Sequence, residues 1–464
     1  MISIAERYVG NMNGLSSEDI FYGKLPIWIK LSANTTENME RDKIYYVLFE
    51  QQKDFLEEKQ RVVPREITPR IISYLPRKLP LIITGVRRAG KSTLLKILTR
   101  ELQVTEKEYL YLNFSDERLI GFVPDDFQKI LDFLEEQNYH KNCLLLIDEI
   151  QEVQHWEKWV DRIKEKHPLI ITGSNSRLLS REISTILTGR SVNIGIYPFS
   201  FREFLAAKGI DFSAWDADLK KQAKIRAAFS SYSESGGIPK VIAEDDSRII
   251  AELYDNIIYR DIIKRFTSRL EKPIKEISSL LLSSISKKLS LRGVSQTVGI
   301  TNLLSAKSIM DTFEKAFLFF FIHQFDYSLR KQLQNPRKVY CIDNGFVSKV
   351  GFRFSADNGR FLENLVFLEL KRRERDIYYF SGKGECDFLL REGLKIKEAI
   401  QVCYEVNAEN REREIQGLLE ALGKFKLKQG LLLTYDQENS FKVDNKVIKV
   451  IPVWKWLLRP KEKP

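Results

Sequence analysis

The sequence predicts an α/β fold with more than one domain. Its 464 residues exceed the roughly 250–300 residues over which a single hydrophobic core keeps growing. Between residues 76 and 210, short apolar runs alternate with helical patterns, which is typical of a parallel sheet covered on both faces. A second alternation of helices and strands begins near residue 351. The predicted architecture is therefore a parallel-sheet core, a helical middle region and a separate C-terminal α/β domain.

The composition is that of a globular protein, with 43% hydrophobic and 30% charged residues. No apolar run approaches the roughly 20 residues that a membrane helix needs, and the N-terminus lacks a signal-peptide core. We therefore expect a cytoplasmic protein without membrane contact. The four cysteines form no CxxC pair and the four histidines lack metal-ligand spacing, so we expect neither a zinc site nor disulfides.

Changes of pattern divide the chain into five predicted segments. They are an N-terminal extension (1–75), the α/β core (76–210), a helical lid (211–268), a winged-helix pattern (269–350) and the C-terminal α/β domain (351–464). Within the winged-helix pattern we expect a helix over 305–321 that Ser305 caps. An extended segment over 337–343 should follow it.

The first strand of the α/β core leads into a phosphate-binding motif, G-x-x-x-x-G-K-[ST], which opens a helix. The predicted nucleotide-binding residues are Gly85, Val86, Arg87, Arg88, Ala89, Gly90, Lys91, Ser92 and Thr93. The glycines allow the loop amides to turn inward on phosphate oxygens at the positive end of the helix. Lys91 then reaches the β- and γ-phosphates, and the Ser92 hydroxyl can ligate Mg²⁺. The sequence therefore predicts a P-loop that binds ATP with Mg²⁺.

A second apolar strand, over 143–147, delivers two carboxylates at its C-terminal end, where ligands sit in open α/β sheets. Asp148 is expected to hold Mg²⁺ through water, and Glu149 to orient and deprotonate the attacking water. Solvated acids at the end of a strand are the alternative interpretation. The P-loop upstream favours the catalytic one.

Two further positions are candidates for contact with the nucleotide. The polar residues 173–176 follow the next strand and could contact the γ-phosphate, or could cap a helix. Arg190 lies just before the fifth strand and could be an arginine finger, or could form a surface ion pair. A finger could act on its own site or on that of a neighbouring subunit. We expect a homo-oligomer.

The formal net charge of +11 favours polyanionic partners, of which nucleic acid comes first. Mild basicity without a specific partner is the alternative. The basic run 371–373, at the end of a predicted helix, suits phosphate contact but could equally complement the helix dipole. DNA is the expected partner.

On these motifs the sequence resembles predicted AAA+ ATPases of archaea and bacteria that join a P-loop domain to a winged helix and a restriction-endonuclease-like C-terminal domain. The matching segments are 83–92, 146–151, 171–176, 187–190, 197–204, 236–239, 259–262, 338–343, 362–364 and 385–388. The resemblance covers most of the chain between about residues 60 and 435. It implies the AAA+ strand order, ATP hydrolysis, and a sensor role for Ser174 or Asn175.

The nuclease pattern of the resembled C-terminal domain, PD-(D/E)xK, is incomplete in this chain. Glu363 and Asp387 stand where its acids are expected, but Gln401 is followed by Cys403 in place of the lysine. A neutral thiol cannot supply the positive charge that helps to activate the nucleophile, although Lys397 could substitute. We expect a degenerate scaffold that can still bind DNA. The alternatives are an ATP-gated, metal-dependent nuclease and an ATP-switched protein that acts on protein partners.

Overall fold

The computed structural model describes residues 36–57, 62–77, 79–174, 189–351 and 358–459. Its helices are α1 (Thr36–Glu57), α2 (Thr68–Tyr74), α3 (Lys91–Leu102), α4 (Phe127–Glu136), α5 (Trp156–Ile163), α6 (Phe201–Ala207), α7 (Leu219–Ser235), α8 (Pro239–Glu244), α9 (Arg248–Asn256), α10 (Glu271–Ser283), α11 (Leu291–Thr297), α12 (Leu303–Lys315), α13 (Leu329–Gln334), α14 (Asn344–Lys349), α15 (Asn358–Arg372), α16 (Arg411–Lys424) and α17 (Val453–Leu458). Its strands are β1 (Leu81–Gly85), β2 (Tyr109–Asn113), β3 (Leu144–Asp148), β4 (Leu169–Ser174), β5 (Val192–Ile196), β6 (Lys288–Leu289), β7 (Phe319–His323), β8 (Arg337–Cys341), β9 (Asp376–Ser381), β10 (Glu385–Glu392), β11 (Lys395–Val402), β12 (Gln429–Thr434), β13 (Asn439–Val443) and β14 (Lys446–Pro452).

The first half of the chain is built on a five-stranded parallel sheet with the order β2-β3-β4-β1-β5. Every residue of β1 and β3 is buried, as expected for strands covered on both faces. Strands β1 and β3 flank β4, so the carboxyl ends of these three strands lie side by side at one edge of the sheet. The predicted α/β architecture is confirmed.

Helix α1 covers the outer edge of β2. Gln52 accepts a hydrogen bond from the amide of Tyr111 (2.9 Å) and donates one to the carbonyl of Tyr109 (3.3 Å). Gln51 makes the same pair of bonds with the backbone of Asn113 (2.8 and 3.1 Å). The two glutamines thus satisfy backbone groups that an edge strand otherwise exposes. This part of the N-terminal extension therefore covers the exposed edge of the sheet.

The chain between β5 and β6 is mainly helical and includes a π-helix over Ile257–Ile262 directly after α9. A glycine pair interrupts it between α7 and α8. Gly236 has a φ of +78°, and a Cβ on Gly237 would lie 2.4 Å from the carbonyl oxygen of Phe199. The Gly237 amide donates to the buried carboxylate of Asp343 at 2.7 Å. This hydrogen bond therefore holds the turn between α7 and α8 against the segment that follows β8.

The segment from α10 to β8 contains a helix pair, α11 and α12, and a small antiparallel sheet with the order β6-β8-β7. The predicted helix over 305–321 is wrong in its bounds, because α12 ends at Lys315 and β7 follows. Asn302, rather than Ser305, caps α12 by accepting a hydrogen bond from the amide two residues further on (2.9 Å). The unbroken apolar run after α12 forms a buried strand, which periodicity alone does not distinguish from a helix.

The C-terminal domain is a six-stranded mixed sheet with the order β13-β14-β12-β11-β10-β9. Strands β9, β10 and β11 pair antiparallel, whereas β11, β12 and β14 pair parallel. The largest hydrophobic cluster runs from Leu81 in the first sheet through Phe319 to Trp454 in α17, so the three sheets share one core. Within the ranges given above, no helix combines the length and the apolar character needed to cross a bilayer.

Candidate functional site

Glycines shape the loop between β1 and α3. A Cβ on Gly85 would lie 2.3 Å from the carbonyl oxygen of Ile196 on the adjacent strand, so only glycine fits there. Gly90 adopts a φ of +90° and caps α3, whose first residue is Lys91. A buried strand, a tight glycine turn and a helix N-terminus together form the arrangement that binds phosphate.

The side chain of Lys91 lies inside this loop. Lys91 is only 6% exposed, and its Nζ donates to the carbonyl oxygens of Gly85 (3.1 Å) and Val86 (3.2 Å). Burial lowers the pKa of Lys91, and the charges of Glu149 and Asp148 act in the opposite direction. The ammonium therefore lies in the field of the two carboxylates at the end of β3. Phosphate oxygens could replace its two carbonyl acceptors.

Asp148 ends β3 and is held by hydroxyl groups from both neighbouring strands. It is 1% exposed. The Thr172 hydroxyl on β4 donates to one carboxylate oxygen, and the Tyr111 hydroxyl on β2 donates to the other at 3.3 Å. Burial, reinforced by the charge of Asp148, raises the pKa of Tyr111, so the phenol stays protonated and remains a donor. The sequence analysis missed both donors, although the parallel register of the predicted strands could have indicated them.

Glu149 follows at a sharp change of backbone direction. Its φ is +53°, a left-handed conformation that is uncommon for residues other than glycine and often occurs at functional sites. The Gln151 side-chain amide donates to its carboxylate. Glu149 is half-buried whereas Asp148 is fully buried. This difference suits a fixed carboxylate beside one that can exchange a proton with water.

Arg65, which the sequence analysis also missed, fastens the phosphate loop to the segment after β5. Its buried guanidinium donates to the carbonyl oxygens of Ala89 (2.8 Å) and Tyr197 (2.7 Å) and to the carboxylate of Glu203 (3.1 Å). Because Ala89 belongs to the phosphate loop, Arg65 limits the positions that the loop can adopt. No motif in the sequence marks this residue.

The two arginines of the loop have different surroundings. Arg87 forms a bidentate ion pair with Asp261 of the π-helix, with nitrogen–oxygen distances of 2.6 and 2.8 Å. Arg88 is exposed and has a φ of +61°. The loop is thus connected to the lid through Arg87.

The remaining predicted nucleotide-site residues lie around the start of α3 and at the surface. Ser92 is exposed and Thr93 half-buried in the first turn of α3. The Arg190 guanidinium is 61% exposed and lies 3.6 Å from the Asp161 carboxylate on α5. Asn175 lies outside the described residues, as does the side chain of Ser174.

Two of the residues predicted for the degenerate nuclease site, Glu363 and Asp387, contact a lysine that the prediction did not include. Lys338, buried on β8, contacts Asp387 at 2.7 Å and Glu363 at 3.0 Å. Gln401 instead accepts a hydrogen bond from the amide of Asp387 at 3.2 Å. The Cys403 thiol donates to a nearby backbone carbonyl at 3.0 Å, and burial raises its pKa to about 11. In the described parts of the chain, no group of His, Cys, Asp or Glu is arranged to hold a metal ion.

The ammonium of Lys338 acts as the cation of this acid cluster. It also contacts Glu385 at 2.7 Å, while the Tyr340 hydroxyl donates to Glu363 at 2.7 Å. Burial alone would lower the pKa of Lys338, but the charges of Asp387 and Glu363 outweigh burial and raise it well above its usual value. Lys338 therefore remains charged and neutralises carboxylates that would otherwise repel one another.

Other basic residues considered in the sequence analysis have different roles. Arg372 is buried and donates to two backbone carbonyls just after β5, at 3.1 and 3.2 Å. Arg373 pairs with Glu369 at 2.8 Å. These two arginines thus contact groups within the protein, and phosphate contact by the run 371–373 stays a prediction. Lys397, the suggested substitute for the missing lysine, is exposed on β11.

Comparison with known proteins gives two matching family models and several relatives. A model described as an AAA domain matches residues 77–205, and one described as a domain of unknown function, DUF8612, matches residues 226–357. The uncharacterized protein MJ1544 of Methanocaldococcus jannaschii is 34% identical over 86% of this chain and 92% of its own length. An uncharacterized protein of Haemophilus influenzae is 33% identical over 82% of this chain and 94% of its own length. Among solved structures, the Walker-type ATPase PABY2304 of Pyrococcus abyssi matches 62% of this chain and 95% of that chain, with 14% identity and a TM-score of 0.41.

Proposed function

We propose that this chain, which belongs to the protein family of MJ1544 and carries an AAA domain, is a Mg²⁺-dependent ATPase. The observation that carries the proposal is the position of Lys91, buried within a glycine-shaped loop and in the field of Asp148 and Glu149. A lysine enclosed in this way serves a triphosphate, and a buried, oriented carboxylate beside it serves a divalent cation.

Each residue of the site has one proposed task. Lys91 binds the β- and γ-phosphates, while Ser92 and Asp148 would hold Mg²⁺, which neutralises charge on the phosphates when bound. Glu149 accepts a proton from the attacking water. Thr172 and Tyr111 keep the carboxylate of Asp148 in one orientation.

The test is the steady-state rate of ATP hydrolysis by the full chain with Mg²⁺. Lys91→Ala should lower turnover by roughly 100-fold or more, because a preorganised charge at the phosphates is lost. Lys96→Ala is the matched control, since Lys96 lies on the same helix outside the loop and contacts the Phe55 ring. Undiminished hydrolysis by Lys91→Ala would refute the site assignment.

We further propose that hydrolysis is coupled to DNA. The net charge of +11 favours a polyanion, and α11 and α12 with the small β6-β8-β7 sheet follow the element order of a winged helix. Arg292 on α11 and Lys307 on α12 are exposed. The test is the ATPase rate with and without single-stranded, duplex and branched DNA. Stimulation by one class supports the coupling, and no effect of any class favours a protein partner.

We infer that the C-terminal domain is a scaffold rather than an active nuclease. Lys338 supplies a positive charge where the acids of a nuclease would hold a metal ion. We therefore expect no cleavage of plasmid DNA with Mg²⁺ or Mn²⁺. Metal-dependent cleavage that disappears in Asp387→Ala would overturn this inference.

A further inference from the structure

The phosphate loop and the lid are joined by the ion pair between Arg87 and Asp261. The contact is bidentate, with distances of 2.6 and 2.8 Å, so two of the three guanidinium nitrogens and both carboxylate oxygens are used. The Asp261 side chain is 9% exposed, whereas that of Arg87 is 38% exposed. The acid is therefore held in place by its surroundings, and the arginine has room to move to another anion.

Asp261 lies in an unusual part of the lid. It belongs to the π-helix over Ile257–Ile262, a conformation that is rare and concentrated at functional sites. The guanidinium of Arg265 donates to the backbone carbonyl of Asp261 at 2.7 Å. The same π-helix packs against α12, the second helix of the proposed winged helix. A shift of Asp261 would thus change the packing of the π-helix against α12.

The pair lies within electrostatic reach of the proposed nucleotide site. Hydrogen bonding to Asp261 raises the pKa of Arg87 against the effect of burial, and the charge of Glu149 adds to the rise. Asp261 also acts on Lys91, whose ammonium lies inside the loop. Asp261 is therefore a negative charge near the predicted phosphate position, and it holds an arginine that a triphosphate would attract.

We propose that the Arg87–Asp261 pair regulates the lid in response to the nucleotide: a bound triphosphate takes Arg87 from Asp261 and frees the π-helix to shift α12. The inference rests on the proposed binding of ATP at Lys91 and names the regulation of that same site. In the absence of nucleotide, the pair holds the lid against the loop.

Substitutions of the two residues of the pair should change the affinity for ATP in opposite directions. Asp261→Asn removes the competing charge with little change of shape, so ATP should bind about tenfold more tightly, the change expected for one charge-assisted contact. Arg87→Ala removes the cation that the triphosphate attracts, so ATP should bind about tenfold more weakly. A pair with only a structural role would give weaker binding in both variants.

The experiment is an equilibrium titration of the full chain with a fluorescent, non-hydrolysable ATP analogue and Mg²⁺. Asp255→Asn and Arg260→Ala are the matched controls, because both residues are exposed on the same helical segment. Their affinities should stay within about twofold of wild type, since exposed charges contribute little. Weaker binding in both Asp261→Asn and Arg87→Ala would overturn the proposal.

Amide hydrogen exchange of wild type provides a second measurement that needs no variant. Exchange in residues 257–262 should become faster when the analogue binds, because release of Asp261 loosens the π-helix. Unchanged or slower exchange there would overturn the proposal. The proposed function fails separately: if wild type and Lys91→Ala bind the analogue equally well, the nucleotide site itself is wrongly placed.

Discussion

At the scale of single residues, Asp148 shows how neighbouring strands orient a buried carboxylate. Its two oxygens receive hydroxyl hydrogen bonds from Thr172 and Tyr111, and backbone atoms provide neither bond. Groups that orient a metal-binding carboxylate often affect activity nearly as strongly as the carboxylate does. The proposed ATPase should therefore depend on residues that do not touch nucleotide.

Thr172→Val should lower ATP turnover by roughly tenfold, because it keeps the shape of the side chain and removes the donor to Asp148. Tyr111→Phe should have a smaller effect, since its hydrogen bond is longer at 3.3 Å. Steady-state hydrolysis at saturating ATP measures both. Thr99→Val, a buried threonine on α3, controls for effects on folding. Wild-type turnover in Thr172→Val would contradict the orienting role.

Asp343 is a buried carboxylate with a pH-dependent contribution to stability. It accepts hydrogen bonds from the amides of Gly237 and Gly345, yet burial raises its pKa from 3.8 to about 6. A carboxyl group whose pKa is higher in the folded than in the unfolded protein stabilises the fold at low pH. That contribution is complete below pH 3.8 and is lost as the pH rises through 6.

The free energy of unfolding of wild type, relative to that of Asp343→Asn, should therefore decrease between pH 4 and pH 7. A shift of this size corresponds to about 3 kcal/mol. Denaturant unfolding of both proteins across this pH range measures the difference. A constant difference would show that Asp343 titrates normally in the folded protein.

Consecutive residues were the part of the site that the sequence could predict. Gly85 to Ser92 form a single motif, and Asp148 and Glu149 follow directly on an apolar strand. Thr172 and Tyr111 lie on the strands beside β3 and reach Asp148 through the register of the sheet, whereas Arg65 precedes α2 and reaches the loop through the tertiary fold. Parallel pairing of the predicted strands could have indicated the two hydroxyl donors, whereas nothing in a single sequence indicates the contact that Arg65 makes.

At the scale of elements, the glycine pair between α7 and α8 fixes how the lid meets the first domain. A Cβ on Gly237 would lie 2.4 Å from the backbone oxygen of Phe199, which cannot move without shifting the chain. Gly237→Ala should therefore lower the free energy of unfolding by about 1–3 kcal/mol. Thermal or denaturant unfolding of the full chain tests this.

Gly359→Ala is the matched control for that substitution. A Cβ on Gly359 would meet no atom within 4 Å, and the residue lies in helix α15. Alanine should leave stability unchanged or raise it by about 0.5–1 kcal/mol. Equal destabilisation by both substitutions would show that the close approach at Gly237 is not the cause.

The sequence predicts the bounds of an element where the hydrophobic pattern changes from helical to strand-like. It does not predict them where one apolar run continues from a helix into a strand. The apolar residues 316–322 follow α12 without a polar break, and the predicted helix includes them up to residue 321. In the structure they include β7, whose residues Phe319 to Ile322 are buried on both faces. Burial on both faces removes the alternation that identifies a strand.

At the scale of the whole molecule, one hydrophobic core connects the three sheets. Hydrogen bonds also connect the domains, such as those that Arg372 donates to the segment after β5. Length and composition predicted several domains but not this shared core, because neither records which surfaces pack together. Through this shared core, the proposed nucleotide site and the proposed DNA surface are connected by packed side chains.

DNA binding should be steeply salt-dependent if the helix pair α11 and α12 contacts phosphates. Arg292→Ala with Lys307→Ala should reduce the slope of log affinity against log salt by roughly two, one for each lost phosphate contact. Fluorescence anisotropy with labelled duplex DNA measures the slope. Lys220→Ala with Lys224→Ala, on the exposed face of α7, is the control and should not change it.

The most direct test of the account is a single-turnover experiment with Mg²⁺ and labelled ATP on wild type, Glu149→Gln and Lys91→Ala. Glu149→Gln should retain bound ATP and cleave it at least about 100-fold more slowly, because it lacks the base that accepts the water proton. Lys91→Ala should retain no ATP. Cleavage by Glu149→Gln at the wild-type rate, or equal retention of ATP by Lys91→Ala and wild type, would contradict a site built from the β1 loop and the end of β3.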